Sequence, residues 1–148
     1  MITIFVLFTA CVTCLKVGII SDVHLVKYYN DKASIDDFCE EWSTNKTLIQ
    51  APLGRYGCDS PPVLVEYMFR RYKEAFGEPD LLLFQGDHIT HGLAQYLPPP
   101  GNTSYYDIAL DTLKDYAGML NEAFPNSMIL PVIGNNDNKF HNEGTIEE

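Results

Sequence analysis

Three apolar runs, at residues 15–20, 81–85 and 128–133, each end in a short polar block: Ser21-Asp22-Val23-His24, Gly86-Asp87-His88-Ile89-Thr90-His91 and Gly134-Asn135-Asn136-Asp137. Continuous apolar runs of this length are the mark of parallel strands buried on both faces. Parallel strands need crossovers, and each gap between the runs contains a segment with helical periodicity. Ser60 as N-cap and Pro61 at the first helical position open one helix, which Gly77 closes and along which Leu64, Met68, Tyr72 and Phe76 form the core stripe. Beyond the Pro98-Pro99-Pro100-Gly101 turn, residues 104–124 read as the longest helix. Its core face is Ile108, Ala109, Leu113, Tyr116, Ala117, Leu120 and Phe124, and its acidic face is simply solvated. An irregular excursion over residues 28–56 carries a short helix at 34–42. Pro131 cannot donate to a ladder, which points to a bulge in the third strand. The pattern predicts one α/β domain, without internal repeats, whose three strands bring their C-terminal ends to one edge, where ligands bind in such sheets.

Each polar block alone is an ordinary turn; their succession after three strands is what points to chemistry. In an extended segment residues two apart project to the same side, so Asp22 and His24 converge on one ion. A carboxylate and an imidazole suit zinc, iron or manganese. Asp87, from a second strand end, can bridge two ions about 3.5–4 Å apart, the separation used by two-metal hydrolases. Asn135 offers the second ion a neutral carbonyl oxygen. Two divalent ions less Asp22, Asp87 and a hydroxide leave a charge of about +1, which still attracts a phosphate diester.

The order Asp-x-His, Gly-Asp, Gly-Asn resembles the calcineurin-like metallophosphoesterase family. The Asp87-to-His91 spacing and the string Gly54-Arg55-Tyr56-Gly57-Cys58-Asp59-Ser60-Pro61 are similar to its acid sphingomyelinase-like branch. The resemblance implies that residues 15–148 are the N-terminal part of a layered α/β/β/α metallophosphoesterase domain, incomplete in this chain and left with an exposed sheet edge. It also implies two divalent ions, zinc in that branch, with Asp22, His24, Asp87 and Asn135 as ligands, and hydrolysis of sphingomyelin to ceramide and phosphocholine. Gly134-Asn135-Asn136-Asp137 with His141-Asn142 resembles the endopolyphosphatase members, so polyphosphate or a nucleotide diester is the alternative substrate. Thr90 stands where purple acid phosphatases carry an iron-binding Tyr, which separates the chain from them. Most members have Gly-Asn-His where this chain has Gly-Asn-Asn. Asn136 cannot transfer a proton, although it can donate a hydrogen bond to a phosphoryl oxygen, and His91 is left to protonate the leaving alkoxide. The family completes its site with histidines well after Gly-Asn, whereas this chain has only His24, His88, His91 and His141. A non-catalytic secreted binding fragment is therefore a reading of another class.

Composition narrows the partners. With 20 acidic against 10 basic residues and a net charge of −10, the chain has no basic patch for nucleic acid, and positive potential must come from its ions. Residues 1–14 carry no charged side chain and are too short to span a bilayer; they read as a secretory signal rather than a transmembrane anchor. If Cys11 and Cys14 leave with it, Cys39 and Cys58 remain as an even pair and form a disulfide in an oxidising compartment. Asn45-Lys46-Thr47 and Asn102-Thr103-Ser104 are glycosylation sequons. The expectation is a protein secreted or held in a lysosomal or vacuolar lumen, acting on a phosphodiester that includes lipid at a membrane surface.

Overall fold

The three apolar runs form parallel strands β1 (Val17–Ile20), β2 (Leu81–Phe84) and β3 (Met128–Pro131) in a computed structural model that describes residues 14–41, 43, 46–91 and 103–137. The strand order is β1-β2-β3, with Val17 opposite Leu81 and Leu81 opposite Met128. Pro131 is not at a bulge. Met128 N–H donates to the Asp80 carbonyl at 2.9 Å and Val132 N–H to that of Phe84 at 2.8 Å. The even-numbered N–H groups thus face β2, and the proline nitrogen falls on the outer edge, where no donor is needed.

Helix α1 (Pro62–Phe76) connects β1 to β2, and α2 (Tyr105–Ala123) connects β2 to β3. The cap of α1 is Pro61 rather than Ser60, because the Ser60 backbone is used elsewhere: its N–H donates to His24 O and its carbonyl accepts from Val26 N. Gly77 closes α1 with its N–H on Lys73 O. The core face of α1 is Val65 and Phe69, flanked by Met68 and Tyr72, while Phe76 at the end of the expected stripe is exposed. Strict four-residue spacing advances about 40° past a full turn at each step, so such a stripe spirals off the buried face. In α2, Ser104 and Asp107 form a reciprocal capping box. Ile108, Tyr116 and Leu120 are buried as expected, but Ala117 is exposed and Thr112 is buried, its hydroxyl donating to Ile108 O at 2.8 Å. The acidic face of α2 is not merely solvated either, for Asp111 and Asp115 hold Lys27 Nζ at 2.5 and 2.8 Å.

Both helices lie on one face of the sheet, as successive crossovers of one hand in one direction require. Ile20, Leu82 and Phe84 point into that layer against Phe69, Tyr116, Leu120 and Phe124. A Cβ at Gly18 would lie 2.4 Å from Tyr72 Oη, so the glycine lets α1 sit close. The opposite face carries Val17, Ile19, Met128 and Leu130, all exposed among the described residues. Among the described residues one helical layer and one sheet are thus present, an α/β half of the four layers expected.

Between β1 and α1 the expected helix at 34–42 shrinks to one 3-10 turn, Ile35–Asp37, capped by the Ser34 side chain. Phe38 and Cys39 follow with φ of 53° and 59° and end it. They turn the chain so that Glu40 pairs antiparallel with Tyr29 and Cys39 bonds to Cys58. Residues 1–13, Trp42, both sequon asparagines Asn45 and Asn102, the Pro98-Pro99-Pro100-Gly101 turn and His141 lie outside the described residues.

Candidate metal centre

The polar blocks are brought together by backbone pairing that continues past the strands. Asp22 N–H donates to Gly86 O (3.2 Å), His24 N–H to Asp87 O (3.0 Å) and Leu25 N–H to His88 O (2.7 Å). The Gly86 and Gly134 loops then meet backbone to backbone: a Cβ on Gly86 would lie 2.4 Å from Gly134 N, and one on Gly134 would lie 2.2 Å from both Asp87 N and Asp87 Oδ1. Contact this close is open only to glycine. Asp137, its side chain 1% exposed, staples the two loops. Its Oδ1 accepts from His88 N (2.7 Å) and Ile89 N (3.1 Å), and its Oδ2 from Gly134 N (2.9 Å). Such charge-assisted bonds to backbone N–H groups are among the stronger ones a buried carboxylate makes. His88 is buried beside it, with Nε2–H donating to the Val132 carbonyl at 3.0 Å and its ring stacked on Tyr116. His88 is therefore a structural histidine.

Asp22, His24 and Asp87 converge, but not as an extended segment would bring them. All three are left-handed, with φ of 55°, 46° and 52°, a region open to Asp and His at some cost and often found at functional sites. His24 Nδ1–H donates to the Ile89 carbonyl at 3.2 Å, which leaves the Nε2 lone pair free to bind a cation. That nitrogen lies 4.0 Å from Asp22 Oδ1 and 3.8 Å from Asp87 Oδ2. Three donors within 4.8 Å of one another, an imidazole and two carboxylates, fit the coordination sphere of one zinc-like ion, for which metal–ligand bonds are about 2.0–2.2 Å. Asp87 divides its oxygens: Oδ2 faces His24, while Oδ1 accepts from Asn136 N–H at 3.0 Å. Asn135 sits exposed on the loop between Gly134 and Asn136. The Asn136 side chain is buried, and its Nδ2 has no hydrogen-bond partner among the described residues.

His91 stacks on His24, with ring centroids 3.9 Å apart and planes at 22°. Its other neighbour is Asp59, to which sequence reasoning assigned no role. Asp59 Oδ2 accepts from His91 N (2.7 Å) and from the Thr90 hydroxyl (2.9 Å), and both carboxylate oxygens lie 3.0–3.1 Å from His91 Nδ1. His24, Asp59 and His91 also lie within 4.8 Å of one another, but this carboxylate is already engaged by its N–H and O–H donors. Asp59 reaches the site from a cross-linked loop, immediately after Cys58 in its disulfide with Cys39. Behind it, burial pushes the Glu40 carboxyl up to about 8, and the charges of Asp59 and Glu41 add to the shift. The Cys58-Asp59-Ser60-Pro61 string was the signal in the sequence; what it lacked was the fold that sets residue 59 against residue 91.

The profile of calcineurin-like phosphoesterases matches residues 15–148. The endopolyphosphatase of Schizosaccharomyces pombe is 28% identical over 138 residues, covering 83% of this chain and 23% of that protein. The endopolyphosphatase of Saccharomyces cerevisiae is 32% identical over 133 residues, with 83% and 20% covered. The acid sphingomyelinase-like phosphodiesterase 3b of Homo sapiens is 30% identical over 124 residues, with 82% and 25% covered. These relatives are the branch to which the motif spacing pointed, and the chain spans about a quarter or less of their length. No helix among the described residues is long and apolar enough to cross a membrane.

Proposed function

Because the chain belongs to the calcineurin-like phosphoesterase family, we propose that residues 15–148 are the ligand-bearing N-terminal portion of a metal-dependent phosphodiesterase that cleaves sphingomyelin to ceramide and phosphocholine. The observation that carries this is the convergence of Asp22 and Asp87 on His24 Nε2, at 4.0 and 3.8 Å, from two separate strand ends. Asp22, His24 and Asp87 hold the first of two divalent ions, and Asn135 offers its carbonyl oxygen to the second. Zinc is taken as the metal on the likeness to the branch, the imidazole and carboxylate donors suiting it as they suit iron or manganese. When bound, the ions supply a nucleophile at neutral pH and offset phosphoryl charge. The Nδ2 of Asn136 is buried without a partner among the described residues, and in this reading the side chain turns outward to donate to a phosphoryl oxygen of the bound diester. His91, packed on His24, protonates the departing oxygen.

Two relatives among those above are endopolyphosphatases, and Gly-Asn-Asn-Asp resembles that group, so polyphosphate is the second reading, with a nucleotide diester beside it. The Cys39–Cys58 disulfide supports export or a lysosomal or vacuolar lumen, and the high Glu40 carboxyl suits an acidic one. The test is to assay the zinc-loaded chain on bis(p-nitrophenyl) phosphate, sphingomyelin and polyphosphate. Turnover of the generic diester with sphingomyelin preferred would bear out the reading. Polyphosphate cleavage without sphingomyelin cleavage would transfer the assignment to the second reading. No turnover, with one or no ion held per chain, would leave a non-catalytic binding role.

A further inference from the structure

We infer that Asp59 is the positioning residue for His91, an inference that rests on the phosphodiesterase reading above. His91 is half-exposed, its side chain 49% accessible, and on its own its ring would sample several rotamers and both neutral tautomers. Three observations fix it. Its backbone N–H is held by Asp59 Oδ2 at 2.7 Å, and its ring is stacked on His24. Its Nδ1 lies 3.0–3.1 Å from both Asp59 oxygens. A carboxylate can only accept, so the Nδ1 atom carries a proton and Nε2 becomes the nitrogen that exchanges protons with solvent or substrate. Asp59 is itself held: the Thr90 hydroxyl donates to it at 2.9 Å, and the neighbouring Ser60 is locked in the backbone ladder with His24 and Val26.

In the reaction, the oxygen of a hydroxide forms a new bond to phosphorus as the bond from phosphorus to the leaving oxygen breaks, and the electron pair of the broken bond stays on the leaving oxygen. The Nε2 proton of His91 passes to it. His91 is left neutral, with its Nδ1 proton still shared with Asp59. An Asp59→Asn side chain would have one acceptor oxygen for the Thr90 and His91 backbone donors and would turn its NH2 toward His91 Nδ1. The ring would then be held with Nδ1 unprotonated, the wrong tautomer for this geometry, as in the aspartate-to-asparagine change of serine protease triads.

The test is the 15N spectrum of the His91 ring in the purified chain, taken at alkaline pH, with zinc stoichiometry read on the same samples. The wild type is expected to show a protonated Nδ1 and an unprotonated Nε2. Asp59→Asn is expected to reverse them, and Thr90→Val to leave them unchanged. A wild-type ring protonated at Nε2 overturns the inference even if Asp59→Asn does not fold, and so does an unchanged tautomer in a folded Asp59→Asn chain. Wild-type protein that binds no zinc but shows the expected tautomers would defeat the phosphodiesterase reading and leave the Asp59–His91 pairing standing.

Discussion

A methyl group added at Gly134 would lie 2.2 Å from both the nitrogen and Oδ1 of Asp87, so Gly134→Ala must move either the loop or the carboxylate. We expect it to lower stability by about 1–3 kcal/mol, the usual cost of overpacking, and to weaken zinc binding by about 10–100-fold, as disturbed support of a ligand does. Urea unfolding and competitive zinc titration would read the two effects. Glu40 gives a second expectation at this scale. Its side chain is buried, Oε2 has no partner among the described residues, and its carboxyl is raised to about 8 from an ordinary value of 4.5. A carboxyl raised on folding binds its proton more tightly in the native state. Its stabilising share is therefore complete below about pH 4.5 and is lost as pH rises toward 8. Between those limits that share is on the order of 5 kcal/mol. Glu40→Gln should remove most of this slope and be the more stable protein at pH 7.5. A wild-type unfolding free energy from Glu40 that is flat in pH would count against the buried acid.

The elements divide by how local their causes are. β2, β3 and α2 were legible because an apolar run, or a capping box and a periodic face, is written in adjacent residues. The 3-10 turn at Ile35–Asp37 was misread as a longer helix because the bridges Tyr29–Glu40 and Ala33–Lys46 and the disulfide override local preference there. Asp22 and His24 approach one another through a left-handed backbone that comes from pairing with residues 86–88, and not through the extension that the spacing suggests. Asp59 stayed invisible because its partner lies 32 residues away. The disulfide matters at this scale: Cys39→Ala with Cys58→Ala should cost on the order of 3 kcal/mol for a loop of 19 residues' separation, measured by urea unfolding with and without reductant. The sheet has two unlike faces. Leu82→Ala, at 0% exposed, should cost about 2–5 kcal/mol. Ile19→Lys, on a side chain 57% exposed, should cost under about 0.5–1 kcal/mol.

For the molecule as a whole, the helices and the sheet make a frame whose C-terminal edge gathers three loops, the β1 loop paired along residues 86–88 and the β2 and β3 loops locked by two glycines and Asp137. With a net charge of −10, any divalent cation will gather loosely on the surface, so the rival to a built site is diffuse binding by carboxylates. Zinc counted by equilibrium dialysis at fixed ionic strength separates the two. The wild type and Asp111→Asn, an acidic change on α2 outside the three polar blocks, are expected to hold at least one tightly bound zinc per chain, and His24→Ala to hold none. If His24→Ala keeps the wild-type zinc, or Asp111→Asn loses as much as His24→Ala does, then Asp22, His24 and Asp87 are not a metal centre.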